Sequence, residues 1–565
     1  MLVDLALSSG LVPFRDRDGA AYATVDVDGH IETWRLRSAG LRAWLARQYY
    51  AVTRRTPNAA ALVDAVQTLV GIAQYDGDVE DVHVRLAERN GVLYLDLADA
   101  GWRVVEIGLA GWRVLDQSPV RFRRTKGMQP LPEPQRGGRV DDLRPFVNAA
   151  DADWRLVAAW LVGTLRPGRP FPVLALYGEH GSGKSTQARM LRRLVDPNLA
   201  DLRSSHRDER DLVIAAQNGW IIGLDNLSKI PDWLSDALCR VSTGAGFSTR
   251  TLYTDEDESL FAVQRPVVFT SIDEVIARDD LADRALIVTL PRIADAARRT
   301  EEALWARYDA ARPALLGALL TAASAALAAL PDVRLESMPR MADFARWSAA
   351  AETALGWTSG AFVDAYAGNR KAAAETVLEA SAIGAPLRAL LVQRPDWSGT
   401  STELLRDLVA LTDETTRGRR DWPATPRGLS GQMRRLAPDL RLVGVVVDWF
   451  RAPGDSRPRL LRIVASDRPD RPDRPGGSIG AADSGTVDPD PGRSTVPADS
   501  DRPAENARPT DGRDGRDGRD DDSQVFTGQD PAAPRCWVCA EPTDYLAPDG
   551  RCQPGTGCAT DEDVA

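Results

Sequence analysis

The spacing of apolar and polar positions changes several times along the chain, and each change marks a new element. Ala21–Val27 alternates as a strand, and residues 60–73 carry helical spacing. Residues 92–97 and 102–107 read as further strands, with turns at Asn90-Gly91 and Ala100-Gly101. Residues 1–140 therefore predict a mixed α/β domain, with no catalytic constellation in it. A Pro-, Gly- and Arg-rich stretch, 130–138, marks its expected boundary. From 141 to 295 apolar runs alternate with helical stretches, which predicts a parallel sheet flanked by helices. Its strands are 172–177, 220–225, 265–271 and 285–290. Residues 296–385 are rich in Ala and Leu, and 298–330 reads as helices interrupted near Pro313.

Residues 386–465 change pattern again. Helices are expected at 387–393, 401–411 and 426–436. Apolar runs at 442–450 and 460–464 follow, joined by a Pro453-Gly454-Asp455 turn. Helices followed by a β-hairpin are the layout of a winged helix. Residues 466–530 are rich in Asp, Arg, Pro, Gly and Ser and cannot bury a core, so a disordered linker is expected. Residues 531–565 form a separate cysteine-bearing module.

At 565 residues the chain is too long for one core. The formal net charge of -11 argues against indiscriminate coating of nucleic acid, although acidic residues crowd the linker while arginines cluster elsewhere. Lysine occurs only as Lys126, Lys184, Lys229 and Lys371. Cys239 stands alone in an apolar helix-like stretch and reads as a core residue. No signal pattern precedes the first domain, and no run of 18 apolar residues without charge is expected. A cytoplasmic protein with no membrane partner follows from these features.

One stretch carries chemistry. Gly178-Glu179-His180-Gly181-Ser182-Gly183-Lys184-Ser185-Thr186 fits the phosphate-binding pattern G-x-x-x-x-G-K-[ST], between an apolar strand and an amphipathic helix. Backbone amides would close on phosphate oxygens at a helix N-terminus. Lys184 would reach the β- and γ-phosphates of ATP, and Ser185 would sit on Mg²⁺. The apolar run 220–225 ends in Asp225, which would hold the metal through water. Asn226 follows where a second carboxylate would orient the attacking water. An amide positions water but takes no proton, so fast hydrolysis is in doubt, and Glu179 is a distant substitute. Thr270 or Ser271 ends the next strand and would face the γ-phosphate. Two readings of Arg284 stand: an arginine finger for a neighbouring subunit, or an ion pair with Asp280 or Asp283. Residues 239–254 read as an exposed hairpin or loop, facing either nucleotide or a nucleic-acid channel, or neither.

This order of motifs resembles superfamily 3 helicases: the glycine loop, Asp225-Asn226, Arg250-Thr251-Leu252-Tyr253, Phe269-Thr270-Ser271 and Leu281-Ala282-Asp283-Arg284. More narrowly it is similar to the C-terminal ATPase half of poxvirus-type and of phage or plasmid primase–helicases. The resemblance implies an AAA+-like P-loop NTPase core and a homo-oligomeric ring translocating on single-stranded or fork DNA. It implies nucleotide contacts by Gly183, Lys184 and Ser185, a magnesium carboxylate at Asp225, a sensor at Ser271 and a finger at Arg284. No acidic triad in 1–140 supports primer synthesis.

Arg427, Arg434 and Arg435 lie on or beside the third helix of the winged-helix candidate. Arg417, Arg419 and Arg420 precede it, and Arg451, Arg457 and Arg459 fall on the hairpin. They fit a DNA-contacting face or a solvated face used for protein contacts. Cys536, Cys539, Cys552 and Cys558 have spacing compatible with a tetrahedral Zn²⁺ site, with disulfides or an unstructured tail as alternatives. Three functions fit the whole: an ATP-dependent DNA helicase or translocase of a mobile element, a slow nucleotide-gated DNA-binding switch, or a P-loop kinase of a small metabolite.

Overall fold

The computed structural model describes residues 1–250, 258–261, 263–276, 278–451 and 459–465. The expected linker, the four C-terminal cysteines, Arg457 and the Pro453 turn lie outside these residues. The first element, α1 (Leu2–Ser8), leads into an antiparallel sheet of β1 (Val12–Arg15), β2 (Ala21–Val27) and β3 (His30–Arg35). Helices α2 (Ala39–Thr53) and α3 (Ala59–Tyr75) follow. Val25, Leu41 and Leu69 bury together in a core of their own.

The next stretch starts with β4 (Val82–His83), which pairs in parallel with β9 (Arg121–Phe122). Between them β5 (Leu86–Arg89), β6 (Val92–Asp96), β7 (Val104–Gly108) and β8 (Gly111–Leu115) form an antiparallel sheet in sequence order. The β5–β6 hairpin closes on Asn90-Gly91, at φ 54 and 75°. A two-residue turn with both φ positive matches the twist of its strands, and Asn-Gly adopts it readily.

The central sheet is parallel and has the order β11-β14-β10-β15. Its strands are β10 (Val173–Tyr177), β11 (Ile222–Leu224), β14 (Val267–Ser271) and β15 (Ala285–Thr289). Helices α4 (Asp151–Thr164), α5 (Lys184–Val195), α6 (Glu209–Asn218) and α7 (Asp232–Thr243) connect and flank them. Strand order reverses around β10, and in such sheets ligands bind beyond the carboxyl ends at that reversal. Of residues 239–254, expected as a hairpin or loop, 251–254 lie outside the described residues. Cys239–Thr243 completes α7, Gly244 caps it at φ 81°, and an antiparallel pair follows, β12 (Phe247–Arg250) with β13 (Glu258–Phe261). The buried Cys239 thiol is pushed up to about 12 by desolvation and by the nearby Asp280 carboxylate.

A short turn of helix, α8 (Asp279–Ala282), precedes β15, and α9 (Glu301–Ala329) follows it. Helix α9 runs unbroken for 29 residues through Pro313, where an interruption was expected. Tyr308 on one side of the proline and Leu315 and Leu316 on the other are buried, and that packing overrides the missing N–H. Gln135 N–H donates to Pro313 O at 2.9 Å. A Cβ at Gly317 would lie 1.8 Å from Gln135 O. The 130–138 stretch thus lies against α9 as a strap. Trp112 Nε1 donates to Thr321 Oγ1 at 3.0 Å, and Ser324 Oγ donates to Gly108 O at 2.6 Å. One hydrophobic cluster consequently runs from the β5–β8 sheet through α9 to the central sheet. Helix α9 is also long and apolar enough to cross a membrane by length and composition, contrary to the expectation of no such stretch. Gly317, Thr321 and Ser324 break its apolar run without adding charge, but 56% of its apolar window is buried inside the protein.

Helices α10 (Ala342–Ala351) and α11 (Ala361–Ala380) complete the helical stretch. The last described elements are α12 (Gly384–Gln393), β16 (Asp396–Gly399), α13 (Ser401–Ala410), α14 (Glu414–Arg417), α15 (Pro426–Leu442), β17 (Val445–Arg451) and β18 (Arg459–Ala465). The hairpin β17–β18 gains β16 as a third strand, in the order β16-β18-β17. Leu404, Leu429, Met433 and Ile463 bury together beneath it.

Candidate functional site

The glycine loop leaves the carboxyl end of β10 and enters α5. Gly178 has no room for a side chain: a Cβ would meet Leu290 O at 2.6 Å and Ser182 Oγ at 2.7 Å. Gly183 caps α5 at φ 80°, a left-handed conformation that favours glycine. Ser182 is buried and its Oγ donates to Glu179 O at 2.9 Å. Glu179, His180 and Gly181 are exposed on the outer curve, and Thr186 is half-buried in the first turn of α5. Lys184 folds back on the loop, donating to Gly178 O at 2.5 Å and Glu179 O at 2.9 Å. Burial holds its ammonium below the usual lysine range, against the opposing pull of Asp225.

Below the loop three oxygens meet. Ser185 Oγ donates to Asp225 Oδ1 at 2.7 Å, and Thr270 Oγ1 donates to the same oxygen at 2.6 Å. Thr270 Oγ1 in turn accepts the Asn226 N–H at 2.8 Å. Asn226 is exposed with φ 52°, a left-handed conformation that Asn tolerates better than most residues. Asp225 N–H donates to Arg203 O at 2.7 Å, so the stretch after α5 braces the edge of β11. A hydroxyl and a carboxylate side by side are the hard oxygen donors that Mg²⁺ prefers. Ser185 and Asp225 are the residues that would hold it. Among the described residues no group of three or more His, Cys, Asp or Glu converges as a metal site.

One expected residue, Ser271, stands elsewhere. Ser271 is buried and turned away, with its hydroxyl in reach of Leu227 O and Asp273 O, each at 2.7 Å. Thr270 takes the place beneath the loop instead. Arg284 precedes the first residue of β15, whereas the loop follows the last residue of β10. The register Val173↔Ala285 to Tyr177↔Thr289 puts them at opposite ends of the sheet, roughly 16 Å apart along the strands. Arg284 pairs with the Asp280 carboxylate and donates to Asp280 O at 2.7 Å. Arg340 joins both Asp280 and Asp283, and Arg370 meets Asp283 at 2.7 Å. These contacts are those of the ion-pair reading, and the separation keeps Arg284 from a nucleotide held by its own chain; the finger reading, which concerns a neighbouring subunit's nucleotide, stands beside it.

Other residues border the loop without a sequence signal. Asn148 N–H donates to Gln187 Oε1 at 2.9 Å, and Gln187 Nε2 donates to Ser182 O at 3.1 Å. They wall a cavity of about 650 Å³ with Phe146, Val147, Ile293 and Arg298. Asn148 and Gln187 are ordinary amides in the sequence, and only the fold brings them together.

The C-terminal module sorts its arginines. Arg427, Arg434 and Arg441 recur every seven residues of α15 and are exposed on one face. Arg434 stacks over the Trp449 ring at 5.5 Å, next to the exposed Phe450 and Arg451 of β17. Arg435, expected beside Arg434, instead lines a cleft of about 730 Å³ with Glu274, Arg278 and Asp421. Arg419 is held by Asp421 at 3.0 Å.

The parallel sheet with its strand–loop–helix makes this an α/β protein, consistent with a Rossmann/AAA+-like core. Residues 140–370 match the family model of the actinomycete integrative conjugative element replication protein, and residues 383–476 match that of the AICE RepA C-terminal domain. Over these stretches the chain is similar to replication proteins of mobile elements. Among solved structures, it is similar to the A-form apo structure of the NrS-1 C-terminal region at 12% identity and a TM-score of 0.36, covering 82% of this chain and 99% of that one. The apo structure of NrS-1 residues 305–718 gives 11% identity and a TM-score of 0.35, with 82% and 98% covered. No curated protein matches the chain.

Proposed function

We propose that the protein is a magnesium-dependent ATPase acting on DNA in the replication or maintenance of a mobile element, as a helicase or translocase. The observation that carries this is the meeting of Ser185, Asp225 and Thr270 under the glycine loop, at the carboxyl edge of the sheet. In this reading ATP lies along residues 178–186, and Lys184 exchanges its two carbonyl partners for phosphate oxygens. Magnesium bound with the nucleotide supplies charge neutralisation at the β- and γ-phosphates. Asp225 and Ser185 hold it, and Thr270 keeps the Asp225 carboxylate turned toward it. The C-terminal module acts as a winged helix whose Arg427–Arg434–Arg441 face meets the DNA backbone. A ring of subunits in the cytoplasm, and zinc on the four C-terminal cysteines, accompany this reading as further proposals.

Asn226 favours a second reading, a nucleotide-gated DNA-binding switch with slow turnover. Its amide stands exposed beside Asp225 and offers no base to an attacking water. Phosphate release with and without single-stranded DNA separates the two. DNA-stimulated release that Lys184→Ala abolishes is the expected result. ATP-dependent DNA affinity with negligible release gives the second reading, and no uptake of ATP or ADP removes both.

A further inference from the structure

We infer that Arg298 is a nucleotide-contacting residue of its own chain's loop, and that Asp295 competes with phosphate for its guanidinium. This rests on the reading of residues 178–186 as the nucleotide site. After β15 the chain doubles back along the loop. Leu290 N–H donates to Tyr177 O at 2.8 Å, and Ile293 N–H donates to Gly181 O at 3.2 Å. Asn148 Nδ2 fastens Pro291 O at 2.5 Å. A single helical turn, Asp295–Ala297, then brings Arg298 back over the loop. Its Nη2 lies 3.1 Å from where a Cβ on Gly181 would stand, a close approach at a backbone φ of 82° that favours glycine.

Arg298 sits on a wall shared by two cavities. One is the cavity of about 650 Å³ beside Phe146, Asn148 and Gln187. The other, also about 650 Å³, is lined by Glu179, His180, Ile272 and Arg292. A nucleotide gripped by amides of the loop between them passes this guanidinium. The planar fork of arginine suits two phosphate oxygens at once.

Its partner in the structure is weak. Arg298 meets Asp295 Oδ1 at 3.1 Å, with the two side chains 48% and 77% exposed, and Arg292 approaches the same oxygen at 3.8 Å. An exposed pair of this kind gives little stabilisation, and a polyphosphate with several charges displaces it. Two residues on, Thr300 caps α9, and Glu301 in its first turn meets Arg189 of α5 at 3.3 Å.

The test is calorimetric titration of the full chain with ATP and with ADP in magnesium. Arg298→Ala should weaken ATP binding about ten-fold, the size of one lost charge-assisted hydrogen bond. Asp295→Asn, which frees the guanidinium, should tighten binding about two-fold or more on the same grounds. The double variant should match Arg298→Ala alone. A purely structural pair would instead weaken binding from either side. Arg298→Ala binding like wild type, or Asp295→Asn weakening it, overturns the inference while the nucleotide reading stands. Wild-type protein that takes up neither nucleotide overturns both. Should Arg298→Ala fail to fold, Arg298→Gln, alone and together with Asp295→Asn, makes the same comparison.

Discussion

Thr270 and Ser271 are neighbours with opposite duties. Thr270 donates to Asp225 and accepts from Asn226 N–H, whereas Ser271 is turned to the Leu227 and Asp273 carbonyls in the interior. Ser271→Ala should cost about 1–2 kcal/mol of stability, because it deprives buried carbonyls of a donor, and should leave nucleotide affinity alone. Thr270→Val, nearly the same shape, should lower phosphate release and also cost about 1–2 kcal/mol, since it takes a partner from Asn226 N–H and from Asp225. Urea titration and a turnover assay on both variants check this, and slowed release with Ser271→Ala or unchanged release with Thr270→Val would refute it. The glycine loop, Lys184, Ser185 and Asp225 were legible because their chemistry needs fixed residue types at fixed spacing. The choice between Thr270 and Ser271 was not. All five residues of β14 are buried, and a strand covered on both faces has no alternation from which to read direction.

Arg85 joins two elements far apart in sequence. It sits at φ 65° on the edge of β5 and is fully buried. It donates to Asp196 Oδ1 at 3.2 Å, to Asp96 O at 3.0 Å and to Gln129 O at 2.8 Å. Asp196 ends α5, and its other oxygen accepts Trp220 and Ile221 N–H at the entry to β11. One guanidinium thus ties the β5–β8 sheet to the helix that opens with Lys184 and to the strand that ends at Asp225. Arg85→Met should destabilise the fold by about 3–5 kcal/mol, since it leaves the buried Asp196 with only the Arg192 guanidinium at 3.6 Å and deprives the Asp96 and Gln129 carbonyls of a donor. A urea midpoint within error of wild type would rule this coupling out. The sequence could not announce Arg85, one arginine among dozens, since only folding brings residue 85 to residue 196. β16 was hidden for a related reason. It has four residues with Trp397 alone buried, too short for periodicity to register. The long apolar runs of β10, β14 and β15, by contrast, stood out as buried strands.

At the scale of the molecule, net charge of -11 conceals a local basic face. Arg427, Arg434 and Arg441 form it, and Arg435 points into the cleft beside Glu274 and Asp421. Replacing Arg434 and Arg441 by Ala should reduce the slope of log affinity for DNA against log salt by about two, at roughly 0.9 per lost phosphate contact. Arg435→Ala should leave the slope unchanged. Binding isotherms across several salt concentrations check both, and equal effects at all three positions would discard the assignment of this face.

The close crossing of Gln135 over Gly317 reaches further than the strap itself. It works as a keyway: the front quarter of the chain slots its backbone into the long helix where any bulkier residue would collide. A fragment begun at residue 140, where the family match opens, would lose Trp112, Gln135 and the Gly108 carbonyl together. Thr321 and Ser324 would lose their partners, and a stripe of alanines and leucines would meet water, the kind of surface that drives molecules to clump. The stretch that matches the family is therefore no freestanding body; its casing is cast in one piece with what precedes it.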